Sequence, residues 1–162
     1  MTTSELLQFL RTHRLAVQAS VSPERAPQSA VVGIAVTDSF ELVFDTLGTS
    51  RKARNLRTNP RVALVIGWDD AQTVQLEGLA DEPLGAELVR CKQSHFARFP
   101  DGPERERWPD IAYFRVRPTW IRSHALLAVI ILSVPIIARA DAPPPEEIAS
   151  GAGEYMEARV RR

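Results

Sequence analysis

FDTLGTSRKARNLRTNPRV, residues 44–62, carries the end of one strand, a turn, a helix start and the opening of another strand. Phe40 to Phe44 leads in with strand-forming residues, and Arg51 to Arg57 is helical in composition. Asn59-Pro60 ends that helix, because the residue before a proline is pushed out of the helical region. Val62 to Ile66 (VALVI) is short, apolar and β-branched, as a strand buried on both faces would be. Ser50 is a good N-cap, and the first turn it opens leaves backbone N–H groups unpaired and partly positive. Arg51 and Lys52 then stand where the helix dipole by itself favours Asp or Glu. Two readings of this local pattern stand side by side. One is a solvated helix start with incidental basic residues. The other is a cradle for a doubly charged ligand such as a phosphate monoester, gripped by an arginine fork and a lysine point charge.

Outward from this segment the chain alternates strands with short helices. Thr2 and Glu5 have the spacing of a capping box, and Leu6, Leu7 and Leu10 follow at helical spacing, so residues 3–13 are expected to form an amphipathic helix. Leu15 to Val21 and Ala30 to Val36 read as strands, separated by a turn at Ser22-Pro23-Glu24-Arg25. Thr73 to Ala80 alternates and holds a glycine, which predicts a strand with a bulge at Gly78. Asp81 and Pro83 open a helix with Leu84, Leu88, Cys91 and His95 on one side, and Phe99 to Pro109 is a loop. Ile111 to Val116 is the last strand and runs into Arg117-Pro118-Thr119-Trp120. Crossover helices for a parallel sheet are missing, which points to a mainly β barrel.

Composition narrows the function classes. The chain has 162 residues, enough for one domain with a core; 44% are hydrophobic and 25% charged. Twenty basic and twenty acidic side chains cancel, so no global field points to nucleic acid or an acidic membrane. The single cysteine, Cys91, excludes an intrachain disulfide and fits a reducing cytoplasm. The first residues lack the basic-then-apolar layout of a secretory signal, and a cytoplasmic location is expected. His13, His95 and His124 share no spacing that builds a metal site, so none is expected. Ser50 and Ser94 lack a nucleophile elbow, Cys91 reads as a small buried hydrophobe, and no acid/base pair stands out. Trp68, Trp108 and Trp120 read as packing or interface residues.

Residues 44–62 resemble the flavin-binding stretch of the pyridoxamine 5'-phosphate oxidase-like family, in which a strand ending in Thr turns into Ser-(Arg/Lys)-Lys, a helix and then Asn-Pro-Arg-Val. PQSAVVGIAV (27–36), TVQLEGLA (73–80) and RVRPTWIR (115–122) fall where that family has further strands, so the resemblance covers residues 3–122. It implies a six-stranded antiparallel split β-barrel with short helices, a homodimer, and FMN at the subunit interface. Carried over by position, Ser50, Arg51 and Lys52 would hold the phosphate, with Asp45 and Thr46 near the ribityl chain or ring edge. Gln28, Ser29, Ala30 and Val31 would run along the isoalloxazine. Thr73 stands where the family often has a glutamine, with Gln75 close by. The implied function is an FMN oxidoreductase acting on a small molecule, with a nicotinamide compound as a possible electron donor. The alternatives are a non-enzymatic flavin- or haem-binding sensor or stress protein, and a deazaflavin-dependent reductase.

The resemblance stops after Arg122, and residues 123–162 are expected to form a divergent tail. Ala125 to Ala138 is apolar but broken by Pro135, and it falls short of the ~20 residues that span a bilayer as a helix. It reads as a segment covering the dimer, a membrane-associating tail, or sequence out of frame with its relatives. The Pro-rich DAPPPEE that follows has linker composition.

Overall fold

The computed structural model describes residues 1–69, 72–125 and 134–137; of Ala125 and 134–137 the backbone alone is described. The elements run α1 (Thr3–Thr12), β1 (Leu15–Val21), β2 (Pro27–Gly33), β3 (Ala35–Val36), β4 (Leu42–Leu47) and α2 (Arg51–Thr58). They continue with β5 (Arg61–Ile66), β6 (Gln72–Asp81), α3 (Gly85–Arg98), α4 (Gly102–Arg105), β7 (Ile111–Ala125) and β8 (Val134–Ile137). The strands form one sheet in the order β2-β1-β5-β6-β7-β4-β3, with β8 also paired to β7, and these pairings are all antiparallel.

The connection between β2 and β3 forces the sheet to curl. These two strands lie at opposite ends of the strand order, yet only Ile34 separates them in the chain. Ile34 is fully buried, and its N–H donates to the Arg14 carbonyl at 2.9 Å. The sheet edges therefore approach each other around the main core, with a smaller cluster of Ala35, Val43 and Cys91 outside it. Phe44 and Phe114 stack inside it at 5.6 Å, and Leu42, Leu64, Ile66, Leu76 and Ile121 surround them. α1 closes the core with Leu6 and Leu10, its start fixed by the expected Thr2–Glu5 capping box.

The mainly β architecture with short helices agrees with the sequence reading, but the strand count does not stop at six. The apolar run 30–36 is divided at Ile34 between β2 and β3, which gives seven strands on the sheet path, and β8 pairs beside them. The expected bulge is present as a register shift between Glu77 and Gly78. A Cβ on Gly78 would lie 2.6 Å from the Arg117 carbonyl oxygen, so the close backbone approach there requires glycine. β5 is not buried on both faces. Val62, Leu64 and Ile66 point inward, whereas Val65 on the other face is exposed in the single chain. The helix expected from Asp81 begins at Gly85, since Asp81 ends β6 in an ion pair with Arg115. β7 runs to Ala125, so the expected end of the barrel at Arg122 falls inside a strand; most of the apolar and Pro-rich tail lies outside the described residues.

Candidate functional site

The turn between β4 and α2 is held from several sides. Ser50 N–H donates to the Leu47 carbonyl and Gly48 N–H to that of Asp110, while the Arg57 guanidinium donates to the Gly48 carbonyl. Ser50 caps α2 as expected, its Oγ accepting from the Ala53 N–H at 3.3 Å. Thr46, the last inward-facing residue of β4, places its Oγ1 3.2 Å from Ser50 Oγ and accepts from Lys52 Nζ at 3.3 Å. Thr46, Ser50 and Lys52 are thus one hydrogen-bonded group at the start of the helix. Arg51 is exposed beside them, and among the described residues neither it nor Lys52 is paired with a carboxylate. The arrangement concentrates positive charge, free helix N–H groups and hydroxyl donors at one point. It suits a small dianion.

The other expected site residues divide by strand alternation. Asp45 is adjacent to Thr46 in sequence but points to the opposite face of β4, under α3 and α4. There it accepts from Arg105 Nε at 2.9 Å, and His95 Nε2 lies 3.5 Å from its other oxygen. Burial pushes the Asp45 carboxyl up, but the hydrogen bonds and charges of His95 and Arg105 outweigh it and hold the group below the usual range. Tyr113 lies across the β4–β7 ladder from Asp45, its hydroxyl pushed up to about 12 by burial, with Asp45 and Glu106 adding to the effect. The structure therefore does not bring Asp45 together with Thr46, Ser50 and Lys52.

Gln28 and Ala30 face inward along β2, and Ser29 and Val31 face outward. Gln28 accepts from Asn55 Nδ2 of α2 at 2.9 Å, which links β2 to the helix that carries the basic pair. Val31, Val17, Val65, Gln75 and Arg122 form one cross-strand row on the outer face, with Thr73 on that face one row further along. Val31 and Gln75 are three strand spacings apart, roughly 14 Å. A ligand touching both must therefore be long or lie across the face.

The sequence pattern of the family described as pyridoxamine 5'-phosphate oxidase matches residues 2–125. This chain belongs to that family. Within it, the chain is similar to the pyridoxine/pyridoxamine 5'-phosphate oxidase of Rubrobacter xylanophilus, with 31% identity over 93 residues. That match covers 57% of this chain and 41% of the relative, so less than half of the relative's length is represented. A heme-binding protein from Mycobacterium smegmatis is similar in structure, with TM-score 0.71 and 19% identity over 83% of this chain and 58% of that one. A pyridoxamine 5'-phosphate oxidase-related, FMN-binding protein from Nostoc punctiforme is also similar, with TM-score 0.60 and 14% identity over 76% of this chain and 81% of that one. At such identities these two likenesses establish the fold, a curled split-barrel sheet.

Two features escaped the sequence reading. Asn55 sits within the decisive segment but flanks the apolar pair Ala53 and Leu56, and only its 3% exposure marks it as a core residue. The Asp45–His95–Arg105 group joins β4 to the consecutive helices α3 and α4, which lie far along the chain from it, and in the sequence His95 showed itself only as one position on an apolar helix face.

Proposed function

We propose that this family member binds FMN with the phosphate at the start of α2 and works as an oxidoreductase on a small molecule. The observation that carries this reading is the hydrogen-bonded group Thr46–Ser50–Lys52 with Arg51 beside it, unpaired with any carboxylate among the described residues. Ser50 and the first-turn N–H groups would orient the phosphate, and Arg51 and Lys52 would neutralise it. The backbone of residues 28–31 and the side chains of Thr73 and Gln75 would border the ring. Bound FMN supplies the electron chemistry itself, which fits a chain in which no acid/base pair stands out. A nicotinamide donor, a homodimer and a cytoplasmic setting belong to the same proposal. The dimer is supported by the exposed apolar side chains Leu15, Val31, Val65 and Leu79 on the outer sheet face, which a second copy could cover. No helix among the described residues is long and apolar enough to cross a membrane.

Replacing both Arg51 and Lys52 by Ala tests the site. Each charge-assisted hydrogen bond contributes about 1.5–3 kcal/mol, so FMN should bind at least ~tenfold more weakly. Riboflavin, which has no phosphate, should be little affected. Equal small losses for the two ligands would refute the assignment. A second reading, a non-enzymatic haem-binding protein, is supported by the name of the Mycobacterium smegmatis neighbour. The absorbance spectrum of the purified protein separates the two, since flavin and haem bands differ in shape and position.

A further inference from the structure

α2 is eight residues long, has no acidic residue in its first turn and puts two cations there, so in isolation it would not hold a helix. Its attachment to the barrel must supply the stability. Ala53 and Leu56 bury apolar surface, a contact that is non-directional and by itself specifies the rotation of the helix only loosely. Arg57 ties the far end of α2 to the Gly48 carbonyl and to Glu82, and Asn55 makes the buried directional contact at its middle. Asn55 is 3% exposed, and its Nδ2 donates to Ser20 Oγ of β1 at 3.1 Å and to Gln28 Oε1 of β2 at 2.9 Å. Ser20 is itself buried at 4% exposure and pairs with Gln28 across the β1–β2 ladder. Three side chains from three elements therefore converge on one buried point. Arg51 is four residues before Asn55 and Lys52 three, the spacings at which helix residues lie one turn apart along the same side.

We infer that Asn55 is a positioning residue: its bonds to Ser20 and Gln28 fix the rotation and height of α2, and so set where the first-turn N–H groups, Arg51 and Lys52 present themselves to a phosphate. This rests on the proposed FMN reading and deepens it. Asn55 itself touches no ligand in this account. Shortening its side chain loosens the hold on the helix and leaves the buried Ser20 hydroxyl and the half-buried Gln28 amide without that partner. Ser20 contributes half of the anchor. Loss of its hydroxyl removes one of the two bonds and little volume.

The test uses the full chain as Asn55→Ala and Ser20→Ala, with FMN and riboflavin affinities measured by fluorescence titration and folding checked by circular dichroism. Asn55→Ala is expected to weaken FMN about tenfold and Ser20→Ala about threefold, with riboflavin changed less than twofold in each. The FMN-to-riboflavin ratio is the deciding quantity, because a general loosening of the fold weakens both ligands together. Should Asn55→Ala fail to fold, Ser20→Ala decides alone. A wild-type chain that binds FMN no better than riboflavin removes the underlying reading, and this inference with it. A wild-type preference for FMN that survives intact in folded Asn55→Ala, or in Ser20→Ala if that variant alone folds, removes this inference and leaves the phosphate site standing. Parallel losses for both ligands reduce Asn55 to a purely structural residue and overturn the inference as well.

Discussion

Thr46 and Asp45 are neighbours in sequence with different roles, and the difference is one of strand face. Thr46 joins Ser50 and Lys52, whereas Asp45 is committed to Arg105 and His95 beneath α3. The sequence could not separate them, because Leu42, Val43 and Phe44 are all buried and both faces of β4 are covered. No apolar/polar alternation marks which way each residue points. The commitment of Asp45 has a consequence in pH. A carboxyl held below its usual range in the folded state adds stability that is present above the unfolded pKa, about 3.9 for Asp, and is lost as pH falls through the folded value. Asp45→Asn should therefore be less stable than wild type at neutral pH, and the gap should close below about pH 4. Urea denaturation of both proteins between neutral and acid pH measures it; a gap that stays constant down to pH ~3 would show that the ionised carboxylate contributes nothing.

At the scale of elements, local signals placed most boundaries. Capping at Thr2 and Ser50 and the break at Asn59-Pro60 are where the spacing puts them. The helix α3 is one exception, and the short helix α4 within the stretch read as a loop is another. Asp81 and Pro83 have the look of a helix start, but Arg115 pairs with the Asp81 carboxylate at 2.7 Å and extends β6 through that residue. A long-range ion pair competes there with a local propensity, and no window of sequence contains both partners. The bulge at Gly78 was legible from glycine inside an alternating strand, and its reason is steric. Gly78→Val should cost at least about 1–3 kcal/mol, since a Cβ would meet the Arg117 carbonyl and the strand has little room to yield. A urea midpoint unchanged by the substitution would show that the strands can part without loss.

The outer face of the sheet departs from the usual pattern of such folds. An antiparallel sheet covered on one side ordinarily presents polar residues to water on the other. Here Val31, Val17 and Val65 line up across three adjacent strands, and Val31 is 59% exposed. A second copy of the chain is the simplest cover, since a two-fold interface pairs a patch with itself. Val65→Lys should then convert a dimer into a species of about 18 kDa by light scattering, with the circular dichroism spectrum unchanged. A wild-type protein that already scatters as an 18.0 kDa monomer at micromolar concentration, with flavin bound, would count directly against the dimer.

The sequence by itself determined the family, the mainly β class and the order of the elements, because caps, prolines and strand-type residues act over a few positions. It also placed the basic pair at a helix start, since Ser50, Arg51 and Lys52 are consecutive. Only the tertiary structure decided which neighbours share a face, that the run 30–36 splits at Ile34 to bring the sheet edges together, and that Asn55 meets Ser20 and Gln28. Those contacts join residues up to 35 positions apart. Their partners are chosen by how the sheet curls around its core, and no local pattern records that choice.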